Sequence, residues 1–228
     1  MLSLADPYGN MFKLLGVPFD MQLSMADAVS ELVISAGWKL KTILRTRRFY
    51  TDADLIIFYK AHLLSYLEYR TPAIYHATRM VLNRFDAVQS RFLQDVGLNE
   101  VTAIVEFHLA PLATRCDIAM LGLIHRSVCG KGPTQFTDFF VRDPHHQTKL
   151  LDPRVTARSP LIKRSALGLV AIYNLLPHDI VCSKSVSAFQ RGLQELVISY
   201  AVIGYPQWSN VFSPRLPLAN HPLTSVSH

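Results

Sequence analysis

The chain has 228 residues, of which 50% are hydrophobic and 18% charged, and its formal net charge is +6. This composition supports a buried core and excludes an intrinsically disordered protein, and the apolar stretches 167–176 and 196–205 are too short for a transmembrane helix of roughly 20 residues. Three widely spaced cysteines, and no signal-peptide pattern in residues 1–12, favour a reducing intracellular compartment, nuclear or cytoplasmic, and no membrane partner.

The first predicted elements are a short strand, a turn and a helix. Residues 12–17 are apolar around Gly16 and predict the strand, and residues 18–20 favour the turn. A helix is expected over residues 25–46. Acidic residues stand near its start and basic residues near its end, which complements the helix dipole.

Four further helices are predicted from caps and hydrophobic periodicity. They are a second helix from Thr51 or Asp52 to about residue 69, a third over 74–96, a fourth capped by Asn99 and a fifth from Pro111 to Val128. The second is apolar nearly all round, so we expect it to be the central, most buried helix.

The last third of the chain is less regular. Residues 142–164 lose periodicity and contain three prolines, which predicts a long charged loop. An apolar stretch over 166–176, a helix over 186–199 and a Pro- and Ser-rich tail follow. The predicted fold class is therefore mainly α: a compact multi-helix domain with a short N-terminal β-hairpin or strand element and a disordered C-terminal tail.

No motif in the chain supplies a catalytic or metal site. The zinc-type donors Cys116, His125, Cys129, His145 and His146 share one window, but their spacing fits no known zinc finger. We expect buried helix cysteines and exposed loop histidines there. Residues 130–134 (GKGPT) lack the order of a nucleotide-binding loop and predict a helix-ending turn. The chain also contains no adjacent pair of aspartates, which two-metal phosphoryl transfer would need.

Positive charge is concentrated between residues 36 and 91. That segment holds ten Lys and Arg residues against four acidic residues, a net charge of +6. Its densest part consists of Lys39, Lys41, Arg45, Arg47 and Arg48. Cations at a helix end neutralise phosphates in nucleic-acid-binding proteins, and they also occur as solvated helix ends that complement the dipole. Charge alone leaves both interpretations open.

Five collinear segments share short motifs with one known family. They are 13–17 (KLLGV) with 19–20 (FD); 58–62 (FYKAH) running into 67–69 (LEY) and 72–73 (PA); 82–92 (LNRFDAVQSRF); 109–123; and 173–177 (YNLLP) followed by 185–190 (SVSAFQ). In this order and rough spacing they resemble the C-terminal part of non-LTR (LINE-type) retrotransposon reverse transcriptases. Ser65 and Tyr75 depart from the proline and tryptophan usual in that family.

The resemblance implies a particular organisation of the chain. It would comprise a primer-grip-like strand and turn left from the palm (1–24), a helical thumb-like domain (25–140), a basic loop (141–164), a C-terminal strand or helix element (165–203) and a flexible tail (204–228). The palm, with its Asp-Asp box, would lie before residue 1. The chain would then be a partial RNA-directed DNA polymerase, inactive alone and without a cofactor of its own, although the parent family uses Mg.

The resemblance also implies a partner and the residues that bind it. The expected partner is an RNA/DNA primer–template bound without sequence specificity, together with the missing palm and fingers portion. The expected nucleic-acid-binding residues are Lys13, Lys39, Lys41, Arg45, Arg47, Arg48, Lys60, Arg84 and Arg91. Two alternatives stay open: a helical protein-interaction module or retroelement relic that does not bind nucleic acid, and a metal-dependent hydrolase built on the Cys/His window.

Overall fold

The computed structural model of the chain describes residues 11–152 and 159–226 and consists mainly of α-helices, which confirms the predicted fold class. It divides into two compact units, unit 1 (Met1–Leu112) and unit 2 (Ala113–His228). The division falls at the start of the fifth predicted helix, within the segment 25–140 that the sequence analysis treats as one helical domain.

Unit 1 begins with a β-hairpin and continues as a set of helices. Its elements are β1 Met11–Leu14, β2 Val17–Asp20, α1 Ala26–Arg45, a 3₁₀ helix Arg47–Phe49, α2 Asp52–Phe58, a π-helical segment Tyr59–Leu64, α3 Ser65–Glu68, α4 Thr71–Ile74, α5 Arg79–Val96 and α6 Glu100–Phe107. The first, second and fourth predicted helices are therefore present. The third begins at Arg79 rather than at residue 74, because α4 forms a separate turn before it.

The N-terminal hairpin turns earlier than the sequence predicts. β1 and β2 pair antiparallel, and the connecting turn is Leu15–Gly16 instead of residues 18–20. Both turn residues have positive φ, 50° and 78°, as the tightest hairpin turns require. Pro18 lies inside the strand opposite Lys13. A two-stranded sheet tolerates it because each strand has an open edge that needs no N–H donor.

Local capping sets where the helices of unit 1 begin. The Asp20 carboxylate accepts hydrogen bonds from the main-chain N–H of Gln22, Ser24 and Met25 at 2.8–3.0 Å and from the Ser24 hydroxyl, just before α1. Thr51 and Asp54 form a reciprocal capping box at the start of α2. The Asp20 bonds fix the turn that leads into α1, whose N-cap residue Met25 makes no side-chain cap bond. The capping box satisfies first-turn N–H groups of α2 that have no partner inside the helix.

The second predicted helix is interrupted by a π-helical segment. Helical dihedral angles continue from α2 through Tyr59–Leu64 into α3. One side of this rod is deeply buried, with Tyr59, Leu63 and Leu67 fully enclosed. The other side is exposed at Ile57 and Tyr69, so the prediction of a helix buried nearly all round holds for one side only. A π turn holds about one residue more than the 3.6 of an α turn. From residue 59 to residue 64, each residue therefore turns around the helix axis by a smaller angle than in an α-helix. Positions spaced by four residues (58, 62, 66 and 70) therefore stay nearly in line.

Helices α1 and α5 lie side by side and run parallel. The Arg84 guanidinium donates to the Ser30 hydroxyl at 3.4 Å near the start of both helices, and Arg47 contacts Asp95 near their ends. The ring of Tyr59 in the π-helical segment stacks on that of Phe92 in α5, with centroids 4.3 Å apart. The Tyr59 hydroxyl donates to Gln89, whose amide donates to a main-chain carbonyl, so this buried polar side chain is satisfied.

Unit 2 is built around two long helices, α7 Leu112–Val128 and α11 Val186–Val202. Between them lie β3 Arg142–Asp143, β4 His146–Leu150, α8 Pro160–Arg164, a 3₁₀ helix Ala166–Leu169, α9 Val170–Tyr173 and α10 His178–Val181. The prediction of a loop over 142–164 is wrong for residues 142–150, which form a small antiparallel hairpin, and for Pro160–Arg164, which form α8 behind the Ser159 cap. The Asn174 amide fixes it by pairing with the N–H and carbonyl of Leu150, both at 2.8 Å. Residues 153–158 of that predicted loop lie outside the described residues.

The predicted C-terminal tail carries no α-helix or strand between residues 204 and 226. It forms short 3₁₀ turns and buries Trp208, Val211, Phe212 and Leu223. This part of the tail is held by packing of large apolar groups rather than by regular secondary structure.

No single helix in the described ranges 11–152 and 159–226 is long and apolar enough to cross a membrane. Helices α6 and α7, joined by a bend, reach that length and composition together.

Candidate nucleic-acid interface

The predicted cations of α1 lie on different sides of the helix. Lys39, Lys41 and Arg45 are all exposed. Because Lys39 and Lys41 are two residues apart, the helical rotation points them in nearly opposite directions. The Lys39 ammonium lies 5.0 Å from the ring centroid of Tyr66, and that of Lys41 lies 4.8 Å from the ring of Trp38. Each cation is therefore held over an aromatic face.

The ends of α1 and α5 bring several predicted cations together. Arg47 donates from Nη1 to the Asp95 carbonyl at 2.7 Å, and Arg91 lies 3.8 Å from the Asp95 carboxylate. Arg48 follows Arg47 in the chain, and its guanidinium lies 4.7 Å from the ring centroid of Phe49. Cations are favoured here because carbonyls at the end of a helix carry partial negative charge.

We term this cluster the basic end of unit 1. It consists of Arg45, Arg47, Arg48 and Arg91. A guanidinium has five N–H donors, so Arg47 keeps further donors after its bond to Asp95. Within it Arg91 pairs with the Asp95 carboxylate on the surface, and Arg45 and Arg48 are exposed near Arg47 in the chain.

The remaining predicted cations lie elsewhere in unit 1. Arg84 is exposed on α5 and faces Ser30, near the opposite end of that helix. Lys60 is half-buried, and its ammonium donates to the Phe107 carbonyl at the end of α6. Lys60 therefore caps a helix. Lys13 is exposed on β1. The structure does not gather these three residues with the basic end.

Two exposed aromatic residues next to the cations were missed in the sequence. Trp38 is 65% exposed and Phe49 is 69% exposed, yet both are large apolar groups. The signal was present as aromatic residues interleaved with cations, in WKLK (38–41) and RRFY (47–50). Exposed aromatic rings beside cations are typical of surfaces that bind single-stranded nucleic acid.

A groove opens between the end of α1 and the rod formed by α2 and the π-helical segment. Its volume is about 310 Å³, and its lining residues are Lys39, Thr42, Ile43, Thr46, Phe58 and His62. The side chains of Ile43 and Phe58 are apolar, and none of the six is acidic. The Thr42 and Thr46 hydroxyls donate to carbonyls one helical turn earlier, those of Trp38 and Ile43. The polar groups that remain for a ligand are therefore Lys39 and His62.

The Cys/His window of unit 2 is a packed core. His125 is fully buried and stacks on Phe189 with ring centroids 4.1 Å apart and planes 4° from parallel. Its Nε2 lies 2.9 Å from the Ser183 carbonyl and must donate to it, so Nδ1 accepts the Tyr173 hydroxyl at 3.0 Å. Burial lowers the His125 pKa, which the Ser183 bond partly opposes and the nearby Arg142 charge reinforces.

This geometry leaves His125 without a free nitrogen for base catalysis. Cys129 Sγ lies 3.6 Å from the same Nε2, at the long end of a sulfur contact. Cys116 is buried in α7 as expected, but Cys129 is half-buried and lies just after the helix ends at Val128. His145 and His146 are exposed on the β3–β4 hairpin. Within the described residues, no three His, Cys, Asp or Glu side chains stand close enough to hold a metal ion.

Unit 1 thus combines exposed guanidinium groups, exposed aromatic rings and a groove whose described lining residues carry no negative charge. Arginine in particular binds phosphate with paired N–H donors. No family model, curated protein or solved structure matches the chain.

Proposed function

We propose that the chain is the helical, nucleic-acid-gripping part of a reverse transcriptase of the non-LTR retrotransposon type. The observation that carries the proposal is the basic end of unit 1, where Arg47 and Arg91 meet at Asp95 and the exposed Arg45 and Arg48 are near Arg47 in the chain. The five collinear motifs that resemble that family support the same role. In the family, thumb helices follow the backbone of the primer–template.

The expected mode of binding is contact with phosphates rather than reading of bases. Arginines at helix ends neutralise backbone phosphates and release condensed counterions, which makes affinity strongly salt-dependent and independent of sequence. Arg45, Arg47, Arg48 and Arg91 take this role first, and Lys39 and Lys41 extend it along α1. Lys13, Arg84 and Lys60 contribute less, since they lie away from the basic end and Lys60 caps α6.

In this proposal the chain does not synthesise DNA by itself. Its sequence contains no adjacent aspartates to hold the Mg²⁺ pair of a polymerase palm. In this proposal the Mg-dependent palm and fingers are contributed by other residues of the element's reverse transcriptase. The chain works inside the cell, where the primer–template is found.

Binding of a labelled RNA–DNA duplex tests the proposal. We expect micromolar or tighter affinity at about 50 mM salt and a fall of at least 10-fold by about 200 mM, as for proteins with several phosphate contacts. Arg47→Ala/Arg48→Ala is expected to weaken binding and to lower the slope of log K against log salt by about 1.5 to 2 units.

A matched variant separates this site from general basicity. Lys184→Ala/Arg191→Ala also removes two exposed cations, but from unit 2. We expect its slope to equal that of the unmodified chain. Equal losses in both double variants would show diffuse attraction, and no binding at low salt would leave the protein-interaction module as the better description.

A further inference from the structure

We propose that the groove between α1 and the α2–α3 rod holds one unpaired nucleotide of the bound strand, with its base against Phe58 and its phosphate near Lys39. This site rests on the proposed function and names the part of the nucleic acid that unit 1 takes beyond the duplex backbone. It differs from the basic end in its residues and in the chemistry that it recognises.

One end of the groove is aromatic. Phe58 lines it, and the Tyr50 ring braces Phe58 edge-on, with centroids 4.9 Å apart and planes at 87°. Phe58 thus contacts Tyr50 and also forms part of the groove wall. Ile43 adds a second apolar surface. A planar base gains about as much from one such ring as single-stranded-DNA-binding proteins gain per stacked base.

The other end of the groove is cationic. Lys39 lines the groove and lies 5.0 Å from the Tyr66 ring centroid, and the Arg70 guanidinium lies 5.7 Å from the same ring. Two cations thus share one aromatic ring. Nη1 of Arg70 is buried and has no hydrogen-bond partner among the described residues. An anion at this end would pair with the exposed Lys39 ammonium, and the Arg70 charge on the same ring would add to the attraction.

The π-helical segment explains why these residues form one row. Phe58, His62, Tyr66 and Arg70 are spaced by four residues and remain nearly in line because the π turn offsets the drift of an α-helix. Opposite them, Thr46, Ile43 and Lys39 follow one side of α1. The groove therefore runs from an aromatic end to a cationic end with His62 between them.

Size and charge select the occupant. About 310 Å³ is at the small end of the ~300–1,000 Å³ typical of ligand sites, enough for one base with its sugar and phosphate but not for a base pair. An apolar peptide segment would leave the charge of Lys39 uncompensated, and an acidic side chain would leave the Phe58 end empty. A nucleotide has both required parts, a planar ring and a phosphate.

The experiment compares a blunt RNA–DNA duplex with the same duplex carrying a four-nucleotide unpaired extension. We expect the extension to raise affinity about 10-fold for the unmodified chain. Phe58→Leu should remove that gain and leave the affinity for the blunt duplex unchanged, while Phe58→Tyr should keep it. Tyr69→Leu, which removes an exposed ring outside the groove lining, should also keep it.

A second measurement needs no variant. In the unmodified chain, titration with adenosine monophosphate is expected to shift the His62 ring resonances, and adenosine or inorganic phosphate at the same concentration should shift them at least 5-fold less. A gain that survives in Phe58→Leu, or equal shifts with phosphate alone, would overturn the nucleotide site. Loss of blunt-duplex binding in the unmodified chain would instead overturn the proposed function, so the two failures are distinguishable.

Discussion

The two units of the chain use polar and aromatic groups in opposite ways. In unit 2 His125, Tyr173 and Phe189 are buried together, and both nitrogens of the imidazole are satisfied by neighbours. In unit 1 the cations and the rings of Trp38 and Phe49 are on the surface. A buried polar group stabilises a fold when its hydrogen bonds are complete, whereas an exposed cation contributes little to folding.

This difference indicates where stability and binding reside. Removing a side chain from the ring cluster of unit 2 should lower the free energy of unfolding. Removing a cation from the basic end of unit 1 should change binding of nucleic acid with little effect on folding. Substitutions in each unit test whether stability and binding are separated in this way.

The largest effect is expected from Phe189→Ala in unit 2. Phe189 is fully buried and stacks on His125, with Tyr173 5.9 Å away on a further side. Removing the ring leaves a cavity, and such substitutions cost about 3–5 kcal/mol. Urea unfolding followed by circular dichroism measures it. Gln194→Ala, on the exposed side of α11, is the control and should cost under about 0.5 kcal/mol.

The next effect is a dependence of stability on pH. Burial holds the pKa of His125, and that of His221, below the ordinary 6.5, so the folded state keeps both rings neutral. Below pH 6.5 the unfolded chain binds protons that the folded chain does not. The free energy of unfolding should therefore be constant from pH 8 to 7 and fall below 6.5, by up to about 1.4 kcal/mol per pH unit for each group.

His125→Phe separates the two histidines. The variant keeps a ring against Phe189 but leaves the Tyr173 hydroxyl and the Ser183 carbonyl without their partner. It should be less stable at pH 7.5 and should lose about half of the slope between pH 6.5 and 5. An unchanged slope would mean that His125 titrates alike in the folded and unfolded chain, contrary to its burial.

The helices of unit 1 were largely predictable because their signals are local. Asn99 accepts the N–H of Thr102 at 2.7 Å, Thr51 caps α2, and Gly97 ends α5 in the left-handed conformation, as sequence rules indicate. The β3–β4 hairpin was not predictable, since it depends on Asn174, which is 24 residues away in the chain from Leu150. Long-range side-chain bonds of this kind leave no periodic pattern in the sequence.

The candidate site was predictable as a composition but not as a geometry. The charge density between residues 39 and 48 predicted a basic surface at the end of α1, where the cations are exposed. That Arg91 joins Arg47 at Asp95, while Lys60 turns away to cap α6, follows from how α1, α5 and α6 pack. The groove depends on the π-helical segment, and a single inserted turn residue cannot be recognised in an apolar helix pattern.

A smaller effect is expected at the start of α1. Burial tends to raise the pKa of Asp20, but the hydrogen bonds from Ser24, Met25 and Gln22 together outweigh it and hold the pKa below 3.8. Asp20→Ala should cost about 1 kcal/mol, because the turn before α1 loses the acceptor of its N–H groups. The stability that Asp20 supplies is fully present above pH 3.8 and is lost as pH falls through its lower folded pKa. Thermal melting of both chains at pH 7 and pH 3 should show the difference shrinking.

The smallest effects distinguish cations that cap from cations that bind. Lys60→Met removes the ammonium that donates to the Phe107 carbonyl and should cost about 1 kcal/mol, because a half-buried carbonyl loses its charged donor. Arg45→Met, at the exposed end of α1, should cost only a few tenths through the helix dipole. Urea unfolding measures the two losses of stability. For duplex binding we expect the reverse order, with a larger loss of affinity in Arg45→Met than in Lys60→Met. A stability loss at Arg45 as large as at Lys60 would mean that the basic end holds unit 1 together, and that its charge density is explained by folding rather than by a phosphate partner.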